Sequence, residues 1–72
     1  MAEIAKIIRV IGQSPTSFAE AAQVAVREAA KTVRDIHGVH VIEMSAIVEN
    51  DEITMFRTTV DIAFGVERFG QD

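Results

Sequence analysis

The stretch Ile53-Thr54-Met55-Phe56-Arg57-Thr58-Thr59-Val60-Asp61-Ile62-Ala63-Phe64-Gly65-Val66 decides how this chain folds. Its even positions are apolar at Phe56, Val60, Ile62, Phe64 and Val66, with Thr54 and Thr58 among them. Its odd positions, from Ile53 and Met55 through Arg57, Thr59 and Asp61 to Ala63 and Gly65, mix charge, polarity and small size. Alternation with period two marks a strand that buries one face. At about 3.3 Å per residue this strand spans roughly 45 Å. A compact chain of this length has a radius of gyration near ~11 Å and a diameter of roughly 30 Å. The strand therefore has to curl around another element or reach into a neighbour.

Working upstream, Glu49-Asn50-Asp51-Glu52 reads as a turn, because Asn and Asp tolerate positive φ. Val39 to Val48 then forms the preceding strand of a hairpin. A two-residue loop at Asn50-Asp51 would set Arg57 against Met44 and drive charge into the core. A three-residue loop instead pairs Met44 with Phe56 and Ile42 with Thr58, which keeps one face apolar. That register places Glu43 opposite Arg57, Val41 opposite Thr59 and Ser45 opposite Met55.

Further upstream, Ile4 to Ile11 is a β-branched run in which Lys6 and Arg9 fall on opposite faces, and Gly12 is expected to end it. Ser17-Phe18-Ala19-Glu20 fits a capping box that opens a helix. Phe18, Ala22, Ala25, Ala29, Val33 and Ile36 recur at helical spacing and predict its buried stripe. The six alanines from Ala19 to Ala30 keep the helix thin, so a sheet can approach it closely. Gly38, just after Arg34 and His37, is expected to be the left-handed residue that ends the helix. Phe69 to Asp72 reads as a loose tail, with Phe69 able to pack on a neighbour.

The order is strand, helix, strand, strand. A right-handed crossover with the last strand filling the gap predicts an α+β domain over residues 1–72. Its three-stranded antiparallel sheet has spatial order 1-3-2 and is half-wrapped around one helix.

The chain has 72 residues, 49% of them hydrophobic, and no Cys. So small a core is marginal alone, and without disulfides or thiolate metal sites the remaining remedy is self-association. The net charge of −4 argues against nucleic acid. No apolar run reaches the length of a membrane span and no signal segment is recognisable, so the expected compartment is the cytoplasm.

Taken in order, Gly12-Gln13-Ser14, Ser17-Phe18-Ala19-Glu20-Ala21-Ala22, Lys31-Thr32-Val33-Arg34 and Val60-Asp61-Ile62-Ala63-Phe64 resemble the turn, helix start, helix end and closing strand of dodecins. The resemblance implies a hollow homododecamer with helices outward and sheets lining the interior. It also implies a non-enzymatic storage role for flavin (riboflavin or FMN) bound between subunits. In flavin-binding members a Trp at the helix-to-strand junction stacks on the flavin, while a Gln on the third strand and an acidic residue on the second hold it. Here those positions are Gly38, Arg57 and Glu43, with Ser45 beside them. There is no Trp or Tyr anywhere in the chain. Loss of ring stacking, about 1–3 kcal/mol, predicts flavin binding weakened by roughly ten- to a hundredfold. Some dodecin-like proteins without the Trp are grouped as calcium-binding, which implies Ca²⁺ as an alternative ligand or a ligand-free shell.

On the residues themselves, Glu43 and Arg57 read either as a cross-strand ion pair or as a site where Arg57 takes an anion or phosphate. Glu49, Asn50, Asp51 and Glu52 offer oxygen ligands suited to Ca²⁺, though their spacing is not that of an EF-hand loop. His37 and His40 lack the further ligands of a zinc set, and His37 suits the helix C-terminus electrostatically. Thr58, Thr59 and Asp61 have no positioned base, so no catalytic group is expected.

Overall fold

The computed structural model describes residues 4–66. Four elements follow in order: β1 (Ile4–Ser14), α1 (Phe18–Ala29), β2 (Ile36–Glu49) and β3 (Glu52–Val66). β3 lies between the other two strands, antiparallel to both, so the sheet order is β1-β3-β2. The expected α+β architecture and strand order hold.

The even face of β3 meets the helix. Thr58, Val60 and Ile62 are fully buried there, against the line Ala21, Ala25 and Ala29 on α1. Phe18 and Ala22, expected on the stripe, sit half-buried at its margin. Phe18 packs edge-on against Phe56, with ring centroids 4.9 Å apart. The Thr58 hydroxyl donates to the Phe18 carbonyl at 2.9 Å, which removes the cost of burying a polar group there. At the helix start the Ser17 hydroxyl accepts from the Glu20 backbone N–H at 3.0 Å, which is one half of the expected capping box; the Glu20 carboxylate does not reach back and lies 3.7 Å from Arg27.

β1 does not end at Gly12. Gly12 pairs with Thr58, and the strand continues to Ser14. A Cβ at Gly12 would run into the Ala21 carbonyl and lie 3.0 Å from the Ala25 Cβ. This glycine is present for close approach of helix and strand, not for a turn.

The helix ends at Ala29, about two turns before the expected Gly38. Lys31 N–H donates to Glu28 and Thr32 N–H to Ala29, tightening the last turn. The Thr32 hydroxyl also competes for the Ala29 carbonyl at 3.3 Å. The left-handed position that redirects the chain is taken by Asp35, at φ 62°. Its carbonyl accepts from Gly65 N–H at 3.0 Å, anchoring the crossing to β3. Gly38 and His37 accordingly lie in β2, so neither terminates the helix nor serves its dipole. Val33 and Ile36 still pack on the core, as the stripe required, but from non-helical backbone.

The hairpin register also differs from expectation. Asn50 and Asp51, at φ 53° and 64°, form a two-residue turn, and Glu49 pairs with Glu52. A bulge then opens between Val48↔Ile53 and Ile47↔Met55, leaving Thr54 as the extra residue. The Thr54 hydroxyl ties back to the Ile47 carbonyl at 3.4 Å. The bulge returns even residues to face even residues, which the three-residue loop had been invoked to achieve. Met44 thus pairs with Thr58, Glu43 with Thr59 and Ser45 with Arg57. Two further bulges, at Ile42 and His37, shift the β2–β3 register.

The helix covers β1 and β3 and scarcely reaches β2. The described chain is drawn out to 59 × 19 × 13 Å with a radius of gyration of 15.3 Å. That exceeds the ~11 Å of a compact chain of this length. Apolar side chains beyond the helix stay exposed: Val39, Val41 and Met44 on β2, and Val48 and Ile53 near the hairpin tip. The expected tail at 69–72 lies outside the described residues.

Candidate functional site: the open face of the sheet

Register assigns the face turned away from α1. It carries Ile7, Arg9, Ile11 and Gln13 from β1 and Met55, Arg57, Thr59, Asp61 and Ala63 from β3. From β2 it carries Gly38, His40, Glu43, Ser45 and Ile47. All four residues assigned to a ligand site from the sequence, Gly38, Glu43, Ser45 and Arg57, therefore share one face. They do not form one cluster within a subunit. Gly38 pairs with Ala63 and Arg57 with Ser45, which separates Gly38 from Arg57 by six steps of β3, roughly 20 Å. A single tricyclic ring system cannot touch both in one chain.

The expected Glu43–Arg57 ion pair does not form. The turn and the bulge at Thr54 place Glu43 opposite Thr59, two pairs further along, and among the described residues no ion pair joins the two. Arg57 has uncharged neighbours across both ladders, Gln13 on β1 and Ser45 on β2. Its Nε is buried and meets no hydrogen-bond acceptor among the described residues.

Arg9 on the same face shows the complementary arrangement. Its Nε donates to Asp61 Oδ1 at 2.8 Å and its Nη2 to Oδ2 at 3.1 Å, a side-on bidentate pair. These hydrogen bonds hold the Asp61 carboxyl below the usual carboxylate range, with the charges of Arg9 and His40 adding to the effect and partial desolvation opposing it. Sequence reasoning missed this pair. Arg9 and Asp61 were each visible on odd positions, but only the β1–β3 register sets them opposite one another.

Gly38 has space for a side chain. A Cβ there would meet only the Ala63 Cβ, at an ordinary 3.8 Å. At the hairpin tip Glu49, Asn50, Asp51 and Glu52 are all exposed. Among the described residues no three His, Cys, Asp or Glu side chains come together as a metal site. No helix among the described residues is long and apolar enough to cross a membrane.

A family model described as Dodecin matches residues 4–67. Calcium dodecin of Mycobacterium tuberculosis is 37% identical over 59 residues, covering 82% of this chain and 83% of that protein. The crystal structure of calcium dodecin from that organism, which has a calcium-binding site, is 35% identical, with a TM-score of 0.78 over 96% of this chain and 97% of that one. Dodecin from Streptomyces davaonensis superposes with a TM-score of 0.91 over 94% of this chain and 100% of its own; at 16% identity it speaks for the fold alone. With strand order, helix placement and sequence all in agreement, the chain belongs to the dodecin family.

Proposed function

We propose that this protein is a non-enzymatic, cytoplasmic small-ligand binding and storage protein that works as a homododecamer. Its ligand, of the flavin class, sits on the open sheet face between subunits. The observation that supports this reading most is the state of that face in one chain. It exposes Ile7 and Ile11 and carries a buried, unpartnered guanidinium nitrogen at Arg57, so neither its apolar nor its polar requirements are met by the subunit alone. A flavin that contacts both Gly38 and Arg57 would take them from two chains, which supports a site between subunits. With Gly38 at the stacking position, ring contacts fall to the aliphatic side chains of this face. Titration of riboflavin and FMN with the protein should quench flavin fluorescence in the micromolar range. No quenching at tens of micromolar flavin removes the flavin ligand.

A second reading, calcium binding, is favoured by the 37% identity to calcium dodecin. Glu49 and Glu52 pair directly across the hairpin end, where two like charges repel unless a cation lies between them. One subunit does not gather a complete ligand set, so carbonyl oxygens or a second chain would have to complete it. A melting temperature that rises with Ca²⁺ and falls back with chelator identifies this reading; an unchanged melting curve eliminates it.

A further inference from the structure

The β2–β3 hairpin outruns the rest of the sheet. β1 makes its last pair at Ser14↔Phe56, so Glu52, Ile53, Thr54 and Met55 have no strand on that side. With the β2 residues opposite them they form a two-stranded arm about 13 Å long. Val48 is 60% exposed on this arm and Ile53 51%, and a two-stranded ribbon left to itself is marginally stable in water. The arm ends in the carboxylates of Glu49, Asp51 and Glu52, which no ion pair neutralises among the described residues.

The opposite end of the sheet has the complementary character. Lys6, Phe64 and Ile36 form one row across the three strands, and Val39 lies 49% exposed in the next. Arg34 sits in the crossover just before β2. Among the described residues neither Lys6 nor Arg34 makes an ion pair, whereas Arg9, Arg27 and Lys31 each have a carboxylate partner. Twelve steps of β3 separate Glu52 from Phe64, roughly 40 Å. The acidic arm therefore cannot meet the basic end of its own chain.

We infer that the arm of one chain docks on the basic end of a second copy, with Val48 and Ile53 against Val39 and Ile36 and the tip carboxylates beside Lys6 and Arg34. Such a contact joins unlike patches, so it is heterologous and runs head to tail until a ring closes. The inference rests on the self-assembly in the reading above and specifies which surfaces meet. Glu49 and Glu52, which face each other across the turn, then take their counter-charge from another chain.

The test is a charge swap in the full chain, read as light-scattering mass against protein concentration, in chelator and again with Ca²⁺. Glu49→Lys with Glu52→Lys keeps a like-charge pair across the turn, so the hairpin changes little while the sign of its tip reverses. This variant, and separately Lys6→Glu with Arg34→Glu, should each raise the concentration of half-assembly at least about tenfold, because like charges then meet across the contact. All four substitutions in one chain should bring it back to near the wild-type value. Ile53→Ser should weaken assembly too, and the charge swap should not rescue it. If neither reversal affects assembly, or the combined variant shows no recovery, the inference is overturned and the assembly reading stands. A wild type that stays monomeric sinks both. An effect of the tip reversal seen only with Ca²⁺ identifies a metal ion as the occupant and overturns the inference. Should a tip reversal fail to fold, Glu49→Gln with Glu52→Gln takes its place; it should weaken assembly to a smaller extent, and an unchanged mass curve decides against the contact.

Discussion

At the scale of single residues, Gly38 and Arg57 distinguish this chain from the flavin-binding pattern it resembles. Gly38 lies in β2 and not at a helix end, and its Cβ direction is open apart from Ala63. Introducing an aromatic ring there therefore carries no backbone penalty. Gly38→Trp combined with Arg57→Gln should tighten riboflavin binding by roughly ten- to a hundredfold, the worth of one stacked ring. Unchanged fluorescence titrations on a folded, assembled double variant would show that ligand and position are mismatched. Asp61 supplies a second residue-scale prediction. Arg9 depresses the Asp61 pKa in the folded state, so the stabilisation is complete above the unfolded carboxyl value of about 3.9. It is lost as pH falls through the lower folded value. Asp61→Asn should therefore flatten the decline of melting temperature below about pH 4. An equally steep decline in the variant would mean that other carboxylates govern acid unfolding.

At the scale of elements, contact between α1 and the sheet depends on small residues from both sides. Ala21, Ala25 and Ala29 provide the flat helix surface, and Gly12 provides the matching gap on β1. Gly12→Ala sets a methyl group against the Ala21 carbonyl, and backbone moves less readily than a side chain. The cost should reach the upper end of the roughly 1–3 kcal/mol typical of overpacking, read as a lower urea midpoint with unchanged slope. A neutral result would mean that the helix can shift outward freely. The alanine-rich helix and its Ser17 cap were legible in the sequence because both are local. Its end was not: the periodicity of Val33 and Ile36 reports burial, and burial here is achieved after the helix has already stopped. Likewise the hairpin faces were legible while the register was not. The apolar pattern demanded even against even, and a bulge at Thr54 met that demand as well as a longer loop would have done.

For the whole molecule, the governing fact is elongation. A helix of twelve residues cannot cover strands of fourteen and fifteen, so the far part of the hairpin keeps its apolar residues exposed. Met44 is 58% exposed on the helix-side face, beyond the reach of α1. Burial of such a side chain is worth about 1.5–3 kcal/mol, which a neighbouring subunit can gain and the monomer cannot. Met44→Glu should replace that gain with the cost of burying a charge and shift the light-scattering mass to smaller species at micromolar concentration. An unchanged mass would place the subunit contacts elsewhere on the surface.

The amino-acid sequence by itself determined the element order, the apolar face of each strand, the helix start and the mismatch between strand length and core size. Each of these follows from periodicity or from contacts only a few residues apart. Only the tertiary structure decided which residues on the open face meet. Opposite Arg57 the β2 neighbour depends on the offset of one turn and one bulge, and a register change of two residues exchanges Glu43 for Ser45 there. That offset left Arg57 without a carboxylate, while the separate, uninterrupted β1–β3 register gave Arg9 one, a difference set by where distant segments come to lie.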